Sequence, residues 1–221
     1  MHPFFKISPL KRLLSYVVPV SIANSSSAQN PFLEFILYRN QWQLATEEAL
    51  YSDGNRYQPF RLAFKKVKAD KLAKTANCLV LGTGLGSVVE ILHDKYNCKA
   101  NFTLVEYDDK ILAWALEHLS AKGIKNLKPQ CANAQTFVAA NKGKYDLICI
   151  DIFNGREVPT VFTEKEFLQN TKRLMAPNGL WIMNYIINDR TEMVEYMRNI
   201  KEVFPTVQML EKDQNRILIF G

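Results

Sequence analysis

The most constraining feature of this sequence is the regular alternation, from Asn77 onward, of short apolar runs with helix-length amphipathic stretches. This alternation is typical of βαβ units arranged around a parallel sheet. A weaker strand is predicted near Leu127, and the tail predicts a closing antiparallel hairpin. We therefore expect an α/β fold with a doubly wound, mostly parallel seven-stranded sheet. The apolar runs cover residues 78–81, 102–105, 147–150 and 180–183, the helices about 86–96, 109–121, 134–141, 164–175 and 190–203, a turn 177–179, and the tail strands 206–210 and 216–220.

The first seventy residues follow a different pattern. Residues 33–38 and 42–46 alternate like strands around a polar break, which predicts a β-hairpin, and residues 17–22 could add a third strand. A helix is predicted from about 57 to 68. Such a small antiparallel piece is too thin to be stable alone, so we expect it to pack on the rest of the chain. With a boundary near residues 70–76, the chain divides into an N-terminal region (1–70) and an α/β domain (71–221).

The charge and the metal-ligating residue types add few constraints. The formal net charge is +6, but the lysines are spread along the chain. The four cysteines and three histidines show no metal-type spacing, so no metal site is expected. We interpret the densest basic cluster as a solvated helix face, with contact to nucleic acid as the alternative. This cluster comprises Lys65, Lys66, Lys68, Lys71 and Lys74.

The N-terminal residues can be interpreted in two ways, as a secretory signal or as part of a cytoplasmic protein. The apolar residues 13–23, followed by Ser26-Ser27-Ala28, resemble a secretory signal with a small-residue cleavage site. Pro19 interrupts the apolar stretch, however, and the cysteines that follow are unpaired, as in cytosolic proteins. No run of about 18 apolar residues is present, so no membrane span is expected. We predict a cytoplasmic protein, with a cleaved signal as the alternative.

A glycine-rich turn follows the first apolar run of the α/β region. In Gly82-Thr83-Gly84-Leu85-Gly86, the glycines allow the backbone to approach a bulky ligand just before a helix begins. Glu106 ends the next apolar run, close to the spacing of about 20 residues that a ribose-binding carboxylate shows. Ser87 stands where a dinucleotide fingerprint requires glycine or alanine. The motif therefore favours S-adenosylmethionine over a nicotinamide cofactor.

Asp151 is the candidate catalytic residue. It ends the predicted strand 147–150, at the carboxyl edge of the sheet, where open α/β folds bind their ligands. A carboxylate there could orient or deprotonate an amine acceptor, or stabilise a sulfonium. The alternative is that Asp151 only caps the loop that follows. The same edge lacks an Asn-Pro-Pro-Tyr type motif, which argues against an enzyme that methylates nucleobase amino groups.

Taken together, these segments resemble the spermidine synthase family and its methyltransferase-like relatives, over roughly residues 33–221. Residues 52–58 resemble the family's Asp-x-x-x-Tyr-Gln segment, 82–86 its glycine loop, and Val105-Glu106 its ribose-binding acid. Residues 144–151 resemble the strand that leads to its catalytic aspartate, and 162–167 a motif that follows. The resemblance implies a class I methyltransferase-like fold and, as donor, S-adenosylmethionine or its decarboxylated form.

The resemblance also implies roles for individual residues. Glu106 would bind the ribose, Asn133 and Ala134 would border the adenine, and Asp151 with Tyr57 would surround the transferred group and the incoming nucleophile. The full set of cofactor-binding candidates is Gly82, Gly84, Gly86, Glu106, Tyr107, Asn133, Ala134 and Gln58.

Several positions depart from the family pattern. Leu85, Asn133 and Asn154 are neutral where the synthases carry acids, and Pro59 replaces a glutamate. Holding a dication such as putrescine requires paired negative charge, so the loss of these acids weakens the case for a polyamine acceptor.

The sequence as a whole predicts an S-adenosylmethionine-dependent transferase that moves a methyl or aminopropyl group to a small acceptor, possibly an amine. A non-catalytic nucleoside-binding module and an RNA methyltransferase are the alternatives. Nucleic-acid and membrane partners are not expected, and a homodimer is compatible with the sequence.

Overall fold

The computed structural model describes residues 6–187 and 190–221. The strands are β1 (Val20–Ser25), β2 (Leu33–Tyr38), β3 (Gln41–Ala45), β4 (Leu50–Ser52), β5 (Asn77–Leu81), β6 (Asn101–Glu106), β7 (Leu127–Cys131), β8 (Tyr145–Ile150), β9 (Met175–Ile186), β10 (Gln208–Lys212) and β11 (Asn215–Phe220). The helices are α1 (Pro9–Leu14), α2 (Gln58–Lys65), α3 (Ala69–Ala73), α4 (Ser87–Tyr96), α5 (Asp109–Ala121), α6 (Ala134–Ala140), α7 (Lys165–Arg173) and α8 (Arg190–Val203). Short 3₁₀ turns cover Gly54–Arg56 and Thr160–Phe162.

The main sheet of the described chain has seven strands in the order β10-β11-β9-β8-β5-β6-β7. Strands β5 to β9 run parallel to one another, while β11 pairs antiparallel with both β9 and β10. This topology confirms the predicted mostly parallel seven-stranded sheet. The predicted weak strand near Leu127 is β7, an edge strand whose residues are mostly exposed.

Both faces of the main sheet are covered by helices, as expected of a doubly wound fold. Cys78 and Val80 of β5 point into an apolar layer that includes residues of α2, α4 and α5. Leu79 and Leu81, on the opposite face of the same strand, pack with residues of α6, α7 and α8. Since β5 is apolar on both faces, its sequence is a continuous apolar run rather than an alternating one.

The chain order reverses between β5 and β8, because β6 lies on one side of β5 and β8 on the other. The carboxyl ends of these strands leave a crevice at that point, and open α/β sheets bind ligands in such crevices. The strand order therefore fixes where a site should be sought.

The N-terminal residues form a second, antiparallel sheet in the order β1-β2-β3-β4. Its buried face packs against the glycine loop and α5, where Leu85, Ile111 and Trp114 join its apolar cluster. Phe35 of β2 meets Trp114 edge to face, with ring centroids 4.8 Å apart. The predicted hairpin is β2 and β3. The expectation that this piece packs on the rest of the chain is met by these contacts.

Some element boundaries differ from the predictions. The third N-terminal strand is Val20–Ser25 rather than 17–22, and the three-residue β4 was not predicted. The predicted helix 57–68 ends at Lys65, and α3 occupies the polar segment where the boundary was placed. That segment forms a short helix because Leu72 is buried against the core. The division into regions 1–70 and 71–221 stays a prediction.

The region around residues 177–179 also differs. The predicted turn lies inside β9, which starts at Met175. Asn178 has a positive φ of 59°, and the pairing of β9 with β8 changes register before Leu180. The residues that predicted a turn therefore form a local irregularity at the start of a longer strand.

In the tail hairpin, Lys212 pairs with Asn215, so the turn has two residues instead of four. None of the helices in the described residues is long and apolar enough to cross a membrane.

Candidate functional site

A cavity of about 430 Å³ lies at the carboxyl ends of β5, β6 and β8. Its volume falls within the range of about 300–1,000 Å³ that is typical of small-molecule sites. Seven of the predicted site residues line it: Gly82, Gly84, Glu106, Tyr107, Asn133, Ala134 and Asp151. Three predicted residues, Gly86, Tyr57 and Gln58, are outside this lining.

The glycine loop brings the end of β5 into direct contact with the end of β8. Gly82 has a φ of 81°, and an added Cβ would overlap the backbone carbonyl of Asp151. Only glycine fits both the backbone conformation and the space. Gly86, in contrast, precedes α4 with a φ of 91°, and an added Cβ there would meet Leu119 of α5. Gly86 therefore has a packing role in this arrangement.

Glu106, the last residue of the neighbouring strand β6, holds the glycine loop by hydrogen bonds. Its Oε2 accepts hydrogen bonds from the backbone N–H groups of Thr83 (3.0 Å) and Gly84 (3.1 Å). Its Oε1 accepts from those of Tyr107 (2.9 Å) and Asp108 (3.2 Å). Burial raises the pKa of Glu106, although the four N–H groups act in the opposite direction. The carboxylate and the glycine loop thus converge on one wall of the cavity.

Asp108 ties the N-terminal sheet to the same wall. Its Oδ1 caps α5 through the N–H groups of Lys110 and Ile111. Its Oδ2 accepts hydrogen bonds from the Ser27 hydroxyl and from Asn30 Nδ2, the latter at 2.8 Å. Asn30 also lines the cavity, as does its neighbour Gln29. The segment between β1 and β2 is therefore held over the cavity beside Glu106.

Asp151, which also lines the cavity, belongs to a partly buried group of polar side chains. The Tyr57 hydroxyl donates to Asp151 Oδ1 at 3.1 Å, and Asn184 Nδ2 donates to the same oxygen at 3.0 Å. Burial raises the pKa of Asp151 from an ordinary 3.8 to about 7, and the charge of Glu106 acts in the same direction, whereas the two hydrogen bonds oppose it. Burial likewise raises the pKa of Tyr57 well above 10.0. The site thus contains a carboxyl group that can exchange a proton near neutral pH.

The remaining predicted residues lie around the edge of the site. Asn133 caps α6 by accepting from the N–H of Gln135 at 2.8 Å, and Ala134 is buried beside it. Tyr107 lines the cavity and is 61% exposed. Gln58 is exposed at the start of α2.

The neutral positions noted in the sequence have different surroundings. Leu85 is buried in the apolar cluster beneath the N-terminal sheet, so it contributes no polar group to the cavity. Asn154 lines both the main cavity and an adjoining cleft of about 360 Å³. This cleft is also lined by Glu48, Arg156 and Glu157. Besides the carboxylates of Glu106, Asp108 and Asp151 in the main cavity, two more therefore stand in the adjoining cleft.

Sequence reasoning missed several of these residues. Asn184 is a polar residue inside an apolar strand, which is a detectable signal of a buried polar role. Asp108 stands where a helix N-cap is expected. Gln29 and Asn30 gave no local signal, because their position depends on how the N-terminal sheet packs.

The strand order and the loops at the strand ends define a class I fold of the S-adenosylmethionine-dependent methyltransferases. Solved structures of methyltransferases and spermidine synthases have a similar fold. Human methyltransferase-like protein 13, in complex with SAH, matches 76% of this chain and 81% of that chain with a TM-score of 0.60 and 24% identity. Spermidine synthase from Thermotoga maritima matches 91% of this chain and 72% of that chain with a TM-score of 0.65 and 14% identity.

A family model described as a methyltransferase domain matches residues 72–218. The chain therefore belongs to the methyltransferase domain family. The eEF1A lysine and N-terminal methyltransferase of Homo sapiens is 28% identical over 154 residues, 63% of this chain and 22% of that protein. The polyamine aminopropyltransferase of Vibrio vulnificus is 27% identical over 152 residues, 66% of this chain and 50% of that protein. The chain thus spans half or less of the length of these relatives.

Proposed function

We propose that this chain is an S-adenosylmethionine-dependent transferase that moves an alkyl group from the donor's sulfonium to an amine. One observation carries the proposal. The glycine loop, Glu106 and Asp151 line a single cavity at the switch point of the sheet. Family membership and relatives named for transfer to lysine, N-terminal and polyamine amines support it.

The chemistry of the cavity wall supports one orientation of the donor. The ribose hydroxyls would lie against Glu106, and the adenine would lie near Asn133 and Ala134. All four acceptor positions of the Glu106 carboxylate are already used by backbone N–H groups. Ribose hydroxyls must therefore share or displace some of these bonds. The sulfonium then points toward Asp151, whose negative form attracts it.

The reaction is a displacement at carbon. The lone pair of the acceptor nitrogen forms the new N–C bond, while the C–S bond breaks and its electron pair stays on sulfur as a neutral thioether. The acceptor nitrogen releases a proton, which Asp151 can take because its pKa lies near 7. Since the sulfonium is already a good leaving group, alignment of the two reactants supplies most of the rate enhancement.

Charge inside the cavity favours methyl transfer over aminopropyl transfer. The carboxylates of Glu106 and Asp108 are occupied by hydrogen bonds from the protein, and both described donors to Asp151 end on Oδ1. Among the described cavity residues, Asp151 therefore offers the open carboxylate oxygen. One such oxygen suits a single amine better than a diamine, for which Glu48 and Glu157 at the outer cleft would have to hold the second cation.

RNA methylation receives less support from the fold. The lysine cluster runs from the C-terminal end of α2, through the link to α3 and α3 itself, to Lys74, which comes shortly before the start of β5. This places the lysines near the amino ends of the parallel strands, whereas the cavity is at the carboxyl ends. Nucleic acid bound by the lysines would have to cross the depth of the domain to reach Asp151.

Calorimetric titration with S-adenosylmethionine, its demethylated product and decarboxylated S-adenosylmethionine tests the proposal. We expect binding of one donor per chain. Absence of binding of all three at millimolar concentration would rule the proposal out. Turnover assays with a lysine peptide and with putrescine then separate methyl from aminopropyl transfer. Donor binding without turnover of either acceptor, unchanged in Asp151→Asn, would instead favour a nucleoside-binding module.

A further inference from the structure

Asn184 is a polar side chain in an otherwise apolar part of β9. It is fully buried, between the buried side chains of Met183 and Tyr185 along the strand. Since Ile150 of β8 pairs with Met183, the next residues along, Asp151 and Asn184, lie side by side on the two strands. Burying an amide is costly unless its hydrogen bonds are satisfied. Its presence here therefore requires an explanation.

Hydrogen bonds fix which way the Asn184 amide faces. Its Nδ2 lies 3.0 Å from Asp151 Oδ1 and 3.3 Å from the Tyr57 hydroxyl. The ionised form of Asp151 only accepts hydrogen bonds, so the amide presents its NH₂ group to that form. Its Oδ1 then faces away and, in the part of the chain that the structure describes, is buried without a hydrogen-bond partner. The described hydrogen bonds of the Asn184 side chain are thus made by its NH₂ group, which faces Asp151 and Tyr57.

We infer that Asn184 is a positioning residue that, with Tyr57, fixes Asp151 Oδ1 so that Oδ2 is presented to the acceptor amine in the cavity. The inference rests on the proposed function, in which Asp151 receives that amine. Two donors on one carboxylate oxygen restrict rotation of the group, and Asp151 itself lines the cavity. Side chains held by such supporting hydrogen bonds keep the geometry that a reaction requires.

The same hydrogen bond affects the acidity of Asp151. The groups that act on this carboxyl are Tyr57 from the start of α2, Asn184 from β9 and Glu106 from β6. Cys149, two residues before it on β8, has its own pKa raised by burial and interacts electrostatically with Asp151. The Asn184 bond favours the ionised carboxylate and so opposes the effect of burial. Removing it should make Asp151 harder to ionise.

Asn184→Leu is the direct test, because leucine has a similar volume and removes the unpaired oxygen together with the hydrogen bond. The titration of the Asp151 carboxyl is followed by carbon NMR, with Asp151→Asn to assign its signal. We expect the midpoint to rise by about one pH unit, the effect of one hydrogen bond to a charged group. Met183→Leu, on the neighbouring position of the strand, is the control and should leave the midpoint unchanged.

Kinetics supply a second readout. In Asn184→Leu we expect kcat at neutral pH to fall about fivefold, because a midpoint one unit above about 7 lowers the ionised fraction of Asp151 from about one half to about one eleventh, and to recover as the pH is raised. An Asp151 midpoint that stays at its wild-type value, or a loss of rate equal at every pH, would overturn the inference. Asn184→Ser removes the same bond with a smaller side chain and answers the question if the leucine variant does not fold. The NMR titration needs no donor, so failure of donor binding would refute the proposed function without deciding this inference.

Discussion

Replacing Asp151 by asparagine should change how the stability of the protein depends on pH. The folded protein holds the Asp151 proton up to a pKa of about 7, whereas the unfolded chain releases it near the ordinary 3.8. Between these values the folded state binds more protons, so raising the pH favours unfolding. The difference of about 3 in pKa corresponds to about 4 kcal/mol in the limit of high pH. From pH 5 to pH 8 the expected loss is about 2–3 kcal/mol.

Urea unfolding of the wild type and of Asp151→Asn at pH 5 and pH 8 measures this effect. We expect the wild type to lose about 2–3 kcal/mol relative to the variant over this interval, because all other titrating groups are shared. Asp213→Asn, at an exposed turn, is the control and should follow the wild type. Parallel pH dependences of the wild type and Asp151→Asn, within about 0.5 kcal/mol, would show that Asp151 ionises normally and would refute the reasoning.

Three further substitutions test the cavity. Glu106→Gln places an amide NH₂ against two backbone N–H groups, which should cost about 2–5 kcal/mol in urea unfolding and weaken donor binding more than a hundredfold by calorimetry. Glu195→Gln, at an exposed ion pair, should change neither. Gly82→Ala should abolish donor binding, since the added Cβ overlaps Asp151; wild-type affinity would contradict this. Leu85→Asp should lower the urea midpoint without creating affinity for the decarboxylated donor, because the carboxylate enters an apolar cluster.

The parts of the fold that the sequence predicted are those encoded by local patterns. The apolar run before Gly82 and the glycines that follow predict a strand, a tight turn and a helix, and each is present. Glu106 could be placed at the cavity because the carboxyl ends of adjacent parallel strands share an edge. The same rule placed Asp151 beside the glycine loop.

The features that were missed depend on contacts between distant segments. The bond of Asn184 to Asp151 requires the register of β9 against β8, which an irregularity near Asn178 shifts. The hydrogen bonds from the segment between β1 and β2 to Asp108 require the docking of the whole N-terminal sheet. Helix α3 forms in a polar stretch because Leu72 is buried by tertiary packing. None of these has a signature within a short window of sequence.

A crystal structure of the protein with S-adenosylhomocysteine would show where the donor binds. We expect the ribose hydroxyls within hydrogen-bond distance of Glu106, the adenine beside Ala134, and the sulfur on the side of the cavity that Asp151 lines. A ligand bound elsewhere, or a cavity that stays empty in crystals soaked at millimolar concentration, would contradict this expectation.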